Sequence, residues 1–251
     1  MDQVNKFHAV YLAAGYGSRI SKLTNDPKCL LQINSESLLE RSFRLWKELG
    51  IKDVTLVLGY KESMIRNVAE KYKDDFNIRY QLNEDFEKQG NTFSLLLGVK
   101  ELAQPCLIFD ADLIYDKEVL EDFMNQGTNS QILIGPSSLE DIECAKTLID
   151  QKGFARMTVD KRAVTSEELA KYDFAGEAIG ILKFSKEDTV KLCKKTEEFL
   201  SHPKNLNLNW EHMLNQFLLE EDVGIYKLTR GRSIEIDNPE DFKRAVEIFG
   251  K

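Results

Sequence analysis

The residues best suited to chemistry follow the first apolar run of the sequence. Residues 7–12 are rich in β-branched and aromatic side chains and too few for a helix, which predicts a strand. They lead into Leu12-Ala13-Ala14-Gly15-Tyr16-Gly17-Ser18-Arg19. In a parallel α/β sheet, ligands lie beyond the carboxyl ends of the strands. Glycines there let backbone N–H groups approach a polyphosphate, and Arg19 can add a charge-assisted contact. The alternative is an ordinary glycine-rich turn.

Two familiar phosphate-binding loops are excluded by this segment. The dinucleotide pattern G-x-G-x-x-G requires a third glycine, and Ile20 stands in its place. The P-loop requires Gly-Lys-Ser/Thr, whereas Gly17 is followed by Ser18 and Arg19. The sequence therefore supports neither an NAD enzyme nor a Walker-type kinase.

A candidate lysine lies downstream, in Asp26-Pro27-Lys28-Cys29-Leu30-Leu31. Pro27 restricts the backbone, and Lys28 leads directly into an apolar run. A lone lysine before a strand is usually a surface residue. Because this one follows the glycine turn, we expect it at the same sheet edge, where it can meet phosphate.

The elements that must position these residues alternate between strand and helix as far as Gly135. Such alternation indicates a mainly parallel sheet covered by helices on both faces. Beyond Ala145 the strands become closely spaced, which predicts a small mixed β region against the edge of that sheet. The predicted strands are 7–12, 54–58, 78–82, 106–110, 131–135, 146–150, 154–159, 177–184 and a run near 224–228; the predicted helices are 38–49, 64–72, 92–102, 120–125, 186–200, 210–219 and a last helix from Pro239.

Composition narrows the class of protein. The 251 residues are 42% hydrophobic and 30% charged, as in a globular chain, and no run reaches the about 18 apolar residues of a membrane helix. The first eight residues show no signal peptide, so we expect a cytoplasmic location. The net charge of −8 argues against a broad nucleic-acid partner. The cysteines stand singly and the histidines complete no zinc spacing, so neither a disulfide nor structural zinc is predicted.

The glycine turn Leu12–Arg19 followed by Pro27-Lys28 resembles the signature of the sugar-phosphate nucleotidyltransferases, which have these two elements in this order and spacing. The resemblance continues through Phe109-Asp110-Ala111-Asp112 to Ile236-Asp237 and covers nearly the whole chain. Within the family, residues 91–95, 110–112 and 209–211 are similar to bacterial phosphocholine cytidylyltransferases. Gly176-Glu177 with Gly180 resembles 2-aminoethylphosphonate cytidylyltransferases, and residues 87–91 resemble inositol-phosphate cytidylyltransferases.

This resemblance implies a Rossmann-like fold and a magnesium site. By the resemblance, Asp112 and Asp237 are the metal ligands and Asp110 assists. Magnesium prefers oxygen ligands and few protein carboxylates, which agrees with this set. The alternatives are that Asp110 and Asp112 cap a turn and that Asp237 caps the helix starting near Pro239.

The resemblance also implies an in-line attack by an acceptor oxygen on the α-phosphorus of a nucleotide, with pyrophosphate leaving. Arg19, Lys28 and Lys161 are then the catalytic cations, alongside Asp112. Lys161 matches a lysine that meets the acceptor phosphate, although Arg162 follows it where the family has proline. A plain surface lysine is the alternative for Lys161.

The nucleotide and the acceptor head group have candidate partners of their own. For the nucleotide, the resemblance points to the glycine turn and to the amides of Gln81, Asn83 and Asn91. For the acceptor, aromatic and acidic side chains would hold a cationic ammonium through cation–π and ion-pair contacts. These side chains are Tyr172, Asp173, Glu177, Trp210 and Glu211, with a core role as the alternative for Trp210.

These implications predict a cytidylyltransferase that uses CTP and Mg²⁺ to join CMP to a small head group of the phosphocholine or 2-aminoethylphosphonate type. We expect one domain, with a nucleotide-binding half over residues 1–135 and an acceptor-side half over residues 136–251. The alternatives are a sugar-1-phosphate or inositol-phosphate nucleotidyltransferase and a catalytically silent nucleotide-sensing subunit.

Overall fold

The computed structural model describes residues 7–20 and 23–250, so most of the segment used to predict the absence of a signal peptide lies outside the described residues. Its strands are β1 (His8–Ala13), β2 (Gln32–Ile33), β3 (Glu36–Ser37), β4 (Asp53–Leu58), β5 (Asn77–Leu82), β6 (Cys106–Asp110), β7 (Leu113–Tyr115), β8 (Gln131–Gly135), β9 (Lys146–Ile149), β10 (Ala155–Val159), β11 (Asp173–Phe184), β12 (Gly224–Lys227) and β13 (Ser233–Glu235). Its helices are α1 (Leu38–Glu48), α2 (Glu62–Ala69), α3 (Asn91–Val99), α4 (Lys117–Asn125), α5 (Ser166–Leu169), α6 (Lys186–Leu200), α7 (Trp210–Glu220) and α8 (Pro239–Phe249).

A parallel group of four strands, in the order β6-β1-β4-β5, forms the centre of the main sheet. The long strand β11 runs antiparallel to β6 and also pairs with β8 and β9. Strands β12 and β10 extend the sheet beyond β8 and β9. The predicted α/β class and mainly parallel sheet are confirmed. The mixed β region differs from the prediction in one respect, because β11 joins it to the parallel strands in one continuous sheet.

Both faces of the parallel strands are buried. All six residues of β1 are buried, and those from Ala9 to Ala13 alternate between two apolar clusters. Tyr11 packs with Trp46 of α1 on one face, while Val10 packs under α3 on the other. A Cβ on Gly98 of α3 would lie 2.4 Å from Val10 Cγ1, so only glycine lets this helix approach the strand so closely. Burial on both faces explains why these strands read as continuous apolar runs.

The helices and strands predicted from hydrophobic periodicity are all present, with small shifts at their ends. The β2–β3 hairpin, strand β7 and the short helix α5 were not predicted. None of the helices in the described parts of the chain is long and apolar enough to cross a membrane.

Candidate active site

The glycine turn lies at the carboxyl end of β1, as predicted, beside the segment that follows β6. Gly17 has φ +65°, a conformation that favours glycine. A Cβ on Gly59, which follows β4, would lie 2.6 Å from the carbonyl oxygen of Ala14. Two glycines therefore shape the turn, one by its backbone conformation and one by allowing close approach.

Two cavities open at this edge of the sheet. The first, of about 170 Å³, is called here the glycine-turn cavity and is lined by Leu12, Ala13, Ala14, Gly15, Gly17, Pro27, Lys28, Cys29, Asn91, Ser94, Asp110, Ala111 and Asp112. The second, of about 240 Å³, is called the acidic cavity and is lined by Arg19, Lys28, Asn91, Asp110, Asp112, Glu143, Ala145, Asp160, Lys161, Ala178, Gly180, Asn209, Trp210, Glu211, Glu235 and Asp237. Four residues belong to both linings: Lys28, Asn91, Asp110 and Asp112.

Lys28 lies between the two predicted metal aspartates. Its Nζ donates to Asp112 Oδ2 and to Asp237 Oδ1, both at 2.9 Å. Arg19 Nη1 lies 2.8 Å and Lys161 Nζ 3.2 Å from Asp237 Oδ2. Burial opposes the charge of Lys28, but the two aspartates outweigh it and raise the pKa of Lys28. Three cations predicted to act on phosphate thus converge on the predicted metal site.

The backbone fixes the relative position of Asp112 and Asp237. Strands β7 and β13 form a small antiparallel sheet, and the N–H of Ile236 donates to the carbonyl oxygen of Asp112 at 3.0 Å. The helix cap considered for Asp237 is provided instead by Asn238, whose side chain accepts from the N–H of Asp241. Asp237 therefore does not cap the helix, and its carboxylate contacts the three cationic side chains.

Glu235 completes a group of three carboxylates suited to a divalent cation. Oxygen atoms of Asp112, Glu235 and Asp237 all lie within 4.8 Å of one another. Asp112 Oδ1 is buried and receives no hydrogen bond from the described residues. Burial, together with Asp112 and Asp237, raises the pKa of Glu235 well above its usual range, and a cation would offset that cost. The all-oxygen donor set fits Mg²⁺.

Asp110 is a buried acid next to this group. Gly180 of β11 has φ +66°, and a Cβ there would lie 2.9 Å from Asp110 Oδ2. Burial, followed by Asp112 and Glu211, raises the pKa of Asp110 well above its usual range, although the Trp210 side chain donates a hydrogen bond to it. Asp110 therefore lies beside the three carboxylates and accepts a hydrogen bond from Trp210.

Helix α7 connects the two cavities. Asn91 Oδ1 accepts from the N–H of Trp210 at 2.7 Å, and Thr92 Oγ1 donates to the carbonyl oxygen of Leu208 at 2.7 Å. These contacts hold the first turn of α7, and with it Glu211, against the start of α3. Burial, followed by Asp160, raises the pKa of Glu211 to about 7.

The structure brings most, but not all, of the predicted site residues to these cavities. Asn83 is buried, donates to Ser94 Oγ at 3.0 Å and so supports the glycine-turn cavity from behind. Glu177 lies near Asp141, Lys146 and Arg244. Outside both linings are Ser18, Gln81, Asn83, Tyr172, Asp173 and Glu177.

Several lining residues were missed by sequence reasoning. Glu235 could have been found, because it lies two residues before Asp237 at the end of a strand and such residues share a face. Asp160 stands next to Lys161 and Ser94 three residues after Asn91, but no local signal directs them to a cavity.

Comparisons with known proteins agree with the fold and the site. The crystal structure of CTP:phosphocholine cytidylyltransferase from Streptococcus pneumoniae superposes with a TM-score of 0.78 and 25% identity, covering 97% of this chain and 99% of that one. The inositol-1-phosphate CTP transferase of T. maritima has the same fold, with a TM-score of 0.77, 19% identity and coverage of 100% and 97%. The chain is thus a nucleotidyltransferase, as predicted.

Its family follows from the sequence itself. Residues 9–153 match the model of the MobA-like NTP transferase domain, and the chain belongs to this family. It is 27% identical to choline-phosphate cytidylyltransferase of Streptococcus pneumoniae over 96% of this chain and 97% of the relative. It is 26% identical to CTP:phosphoglutamine cytidylyltransferase of Campylobacter jejuni over 92% of each. The predicted family resemblance is confirmed.

Proposed function

We propose that this chain is a Mg²⁺-dependent cytidylyltransferase that joins CMP from CTP to a small phosphorylated or phosphonate head group of the phosphocholine or 2-aminoethylphosphonate type. The observation that carries the proposal is the shared wall of the two cavities. Because Lys28 and Asp112 line both, a nucleotide in the glycine-turn cavity and an acceptor in the acidic cavity would meet at these two side chains.

The division of the chain supports this assignment of the cavities. Every residue that lines the glycine-turn cavity lies between Leu12 and Asp112. The acidic cavity adds residues from Glu143 to Asp237. In the proposed division, the nucleotide-binding half over residues 1–135 supplies the whole glycine-turn cavity, and the acidic cavity combines Arg19 and the four shared residues with the acceptor-side half over residues 136–251. Asn91 and Ser94 line the glycine-turn cavity and have neutral polar side chains that could meet the cytosine edge.

The reaction needs positioning and charge neutralisation more than a base. An acceptor oxygen that is already ionised attacks the α-phosphorus, the new P–O bond forms, and the bond to the pyrophosphate oxygen breaks with its electron pair. Lys28, which lines both cavities, and Arg19 would neutralise the phosphates of the nucleotide, and Lys161 would neutralise the phosphate of the acceptor.

Asp112, Glu235 and Asp237 would hold Mg²⁺. The ion supplies charge stabilisation to the phosphoryl oxygens as a Lewis acid. The choice of CTP rests on the relatives, since those that match over nine-tenths of both chains carry cytidylyltransferase names.

Product detection tests the proposal directly. The protein is incubated with Mg²⁺, each of CTP, UTP, ATP and GTP, and a panel containing phosphocholine, 2-aminoethylphosphonate, inositol 1-phosphate and glucose 1-phosphate. We expect CDP conjugates of an ammonium head group by mass spectrometry, with equimolar pyrophosphate. A dominant sugar or inositol conjugate would refute the head group, a dominant nucleotide other than CTP would refute the donor, and no product with any pair would favour a silent subunit.

A further inference from the structure

The acidic cavity carries more negative charge than the proposed metal and its neighbouring cations account for. Three cationic side chains line it, Arg19, Lys28 and Lys161, and all three contact Asp237 or Asp112. Three further carboxylates, Glu143, Asp160 and Glu211, line the cavity as well. In the parts of the chain that the structure describes, none of these three has an ion-pair partner within 4.0 Å.

Among these three carboxylates, Glu211 gives the strongest indication that the cavity binds a ligand. Oε2 of its carboxyl group is shielded from solvent and receives no hydrogen bond from any described residue. A buried acceptor without a donor is costly, and native proteins rarely leave one unsatisfied. Because Glu211 lines the acidic cavity, a donor on a bound molecule can supply the missing hydrogen bond.

The aromatic content of the cavity limits the kind of cation that fits. Trp210 is the one aromatic side chain among the described lining residues, and it is only 4% exposed, so it offers little of its ring face to a ligand. Tyr172, predicted to face the head group, lies outside the lining. A quaternary ammonium has no N–H and is held mainly by aromatic faces. A primary ammonium has three N–H donors, which carboxylates can accept.

We propose that the acceptor is a short phosphate or phosphonate with a primary ammonium group, which Glu211, Asp160 and Glu143 bind in preference to a quaternary ammonium. This inference rests on the proposed function and narrows its acceptor to one of the two head-group types. The spacer is short, because Glu211 and Lys161 line the same cavity of about 240 Å³, which must hold both ends of the acceptor. A polyol acceptor would offer hydroxyl donors but no positive charge to Glu143, Asp160 and Glu211.

A methylation series provides the test, because it changes the number of N–H donors while the phosphate stays the same. With CTP and Mg²⁺, kcat/KM is measured for phosphoethanolamine, its N-methyl and N,N-dimethyl derivatives, and phosphocholine. We expect a stepwise fall of at least about tenfold across the series, since a site built to accept hydrogen bonds rejects analogues that lack the donors. Inositol 1-phosphate is the polyol comparison and is expected to be the poorest acceptor.

The variant Glu211→Gln tests whether the carboxylate of Glu211 causes this preference for a primary ammonium. We expect KM for phosphoethanolamine to rise about tenfold with kcat within about twofold, so that the preference over phosphocholine largely disappears. Glu220→Gln is the matched control, because it makes the same change on the same helix at an exposed glutamate paired with Lys195. The melting temperature of Glu211→Gln should equal or exceed that of the wild type, since the buried unpartnered carboxylate becomes neutral.

The outcomes separate this inference from the proposed function. If phosphocholine or inositol 1-phosphate has the highest kcat/KM, the primary-ammonium assignment is wrong and cytidylyltransfer stands. If Glu211→Gln lowers activity equally with every acceptor, Glu211 does not select the head group, and the inference fails. If no acceptor yields a CDP conjugate, the proposed function fails and takes the inference with it.

Discussion

Lys28 contacts both candidate metal aspartates, and its removal should have two opposite effects. Lys28→Met keeps the length of the side chain and removes its charge. Loss of a preorganised charge on the reacting phosphates costs about 3–4 kcal/mol, so kcat should fall about 10²–10³-fold, and kcat/KM with it. The same ammonium also competes with a metal for Asp112 and Asp237, both at 2.9 Å.

The second effect therefore concerns Mg²⁺. Two unit charges 4 Å apart interact by about 4 kcal/mol at the dielectric typical of a protein surface, and these three side chains are each a fifth exposed or less. If removing the ammonium strengthens Mg²⁺ binding by about a third of that energy, the Mg²⁺ concentration that gives half-maximal activity should fall about tenfold in the variant. Pyrophosphate release is measured against Mg²⁺ concentration, with Lys73→Met as an exposed-lysine control outside both cavities. An unchanged kcat, or a greater requirement for Mg²⁺, would refute the reasoning.

Three other predictions follow from the same structure. Asp112→Asn and Asp237→Asn should each lower turnover by orders of magnitude at limiting Mg²⁺ while circular dichroism and melting temperature stay near wild type, because neither side chain fills the apolar core; near wild-type rates in both would disprove the metal assignment. Gly180→Ala should reduce the free energy of unfolding by about 1–3 kcal/mol, because the new Cβ meets Asp110 at 2.9 Å on a backbone with φ +66°; denaturant titration checks this, and an unchanged midpoint would contradict it. Burial lowers the pKa of His8 to about 4, so the contribution of neutral His8 to stability is complete above pH 6.5 and is lost as the pH falls through 4. Relative to His8→Gln, the free energy of unfolding of the wild type should fall by up to about 3 kcal/mol over that window. Parallel curves of unfolding free energy against pH for the two proteins would refute this.

Two parts of the site, each contained in a short stretch of the sequence, could be predicted from it. The glycine turn and Asp110–Asp112 follow buried strands, and parallel neighbours place such segments at one edge. The glycine turn was identified from its residue types and position, and Asp110–Asp112 from the family resemblance. The strand pairings of β11 were not predictable in the same way, because β11 contacts β6, β8 and β9 through backbone hydrogen bonds that carry no local signature.

The acceptor side was harder to predict for a geometric reason. Successive residues of a strand point to opposite faces, and irregular pairing near Gly176 and between Ala178 and Leu182 disturbs the alternation in β11. Ala178 and Gly180 line the acidic cavity, whereas Glu177 lies near Lys146 and Arg244. Residue type suggested that Glu177 could meet an ammonium, but only the backbone geometry decides which carboxylates reach the cavity.

The relation between Lys28 and Asp237 shows what sequence reasoning missed most. From the sequence, Lys28 was assigned to phosphate and Asp237 to the metal, as two separate roles. The two residues are 209 positions apart, and their side chains are in direct contact at 2.9 Å. Under the proposed function, Mg²⁺ held by Asp112 and Asp237 would replace their contacts with Lys28, and the ammonium group would then be available to the phosphates of the nucleotide. The spacing of the motifs gives no sign of this contact.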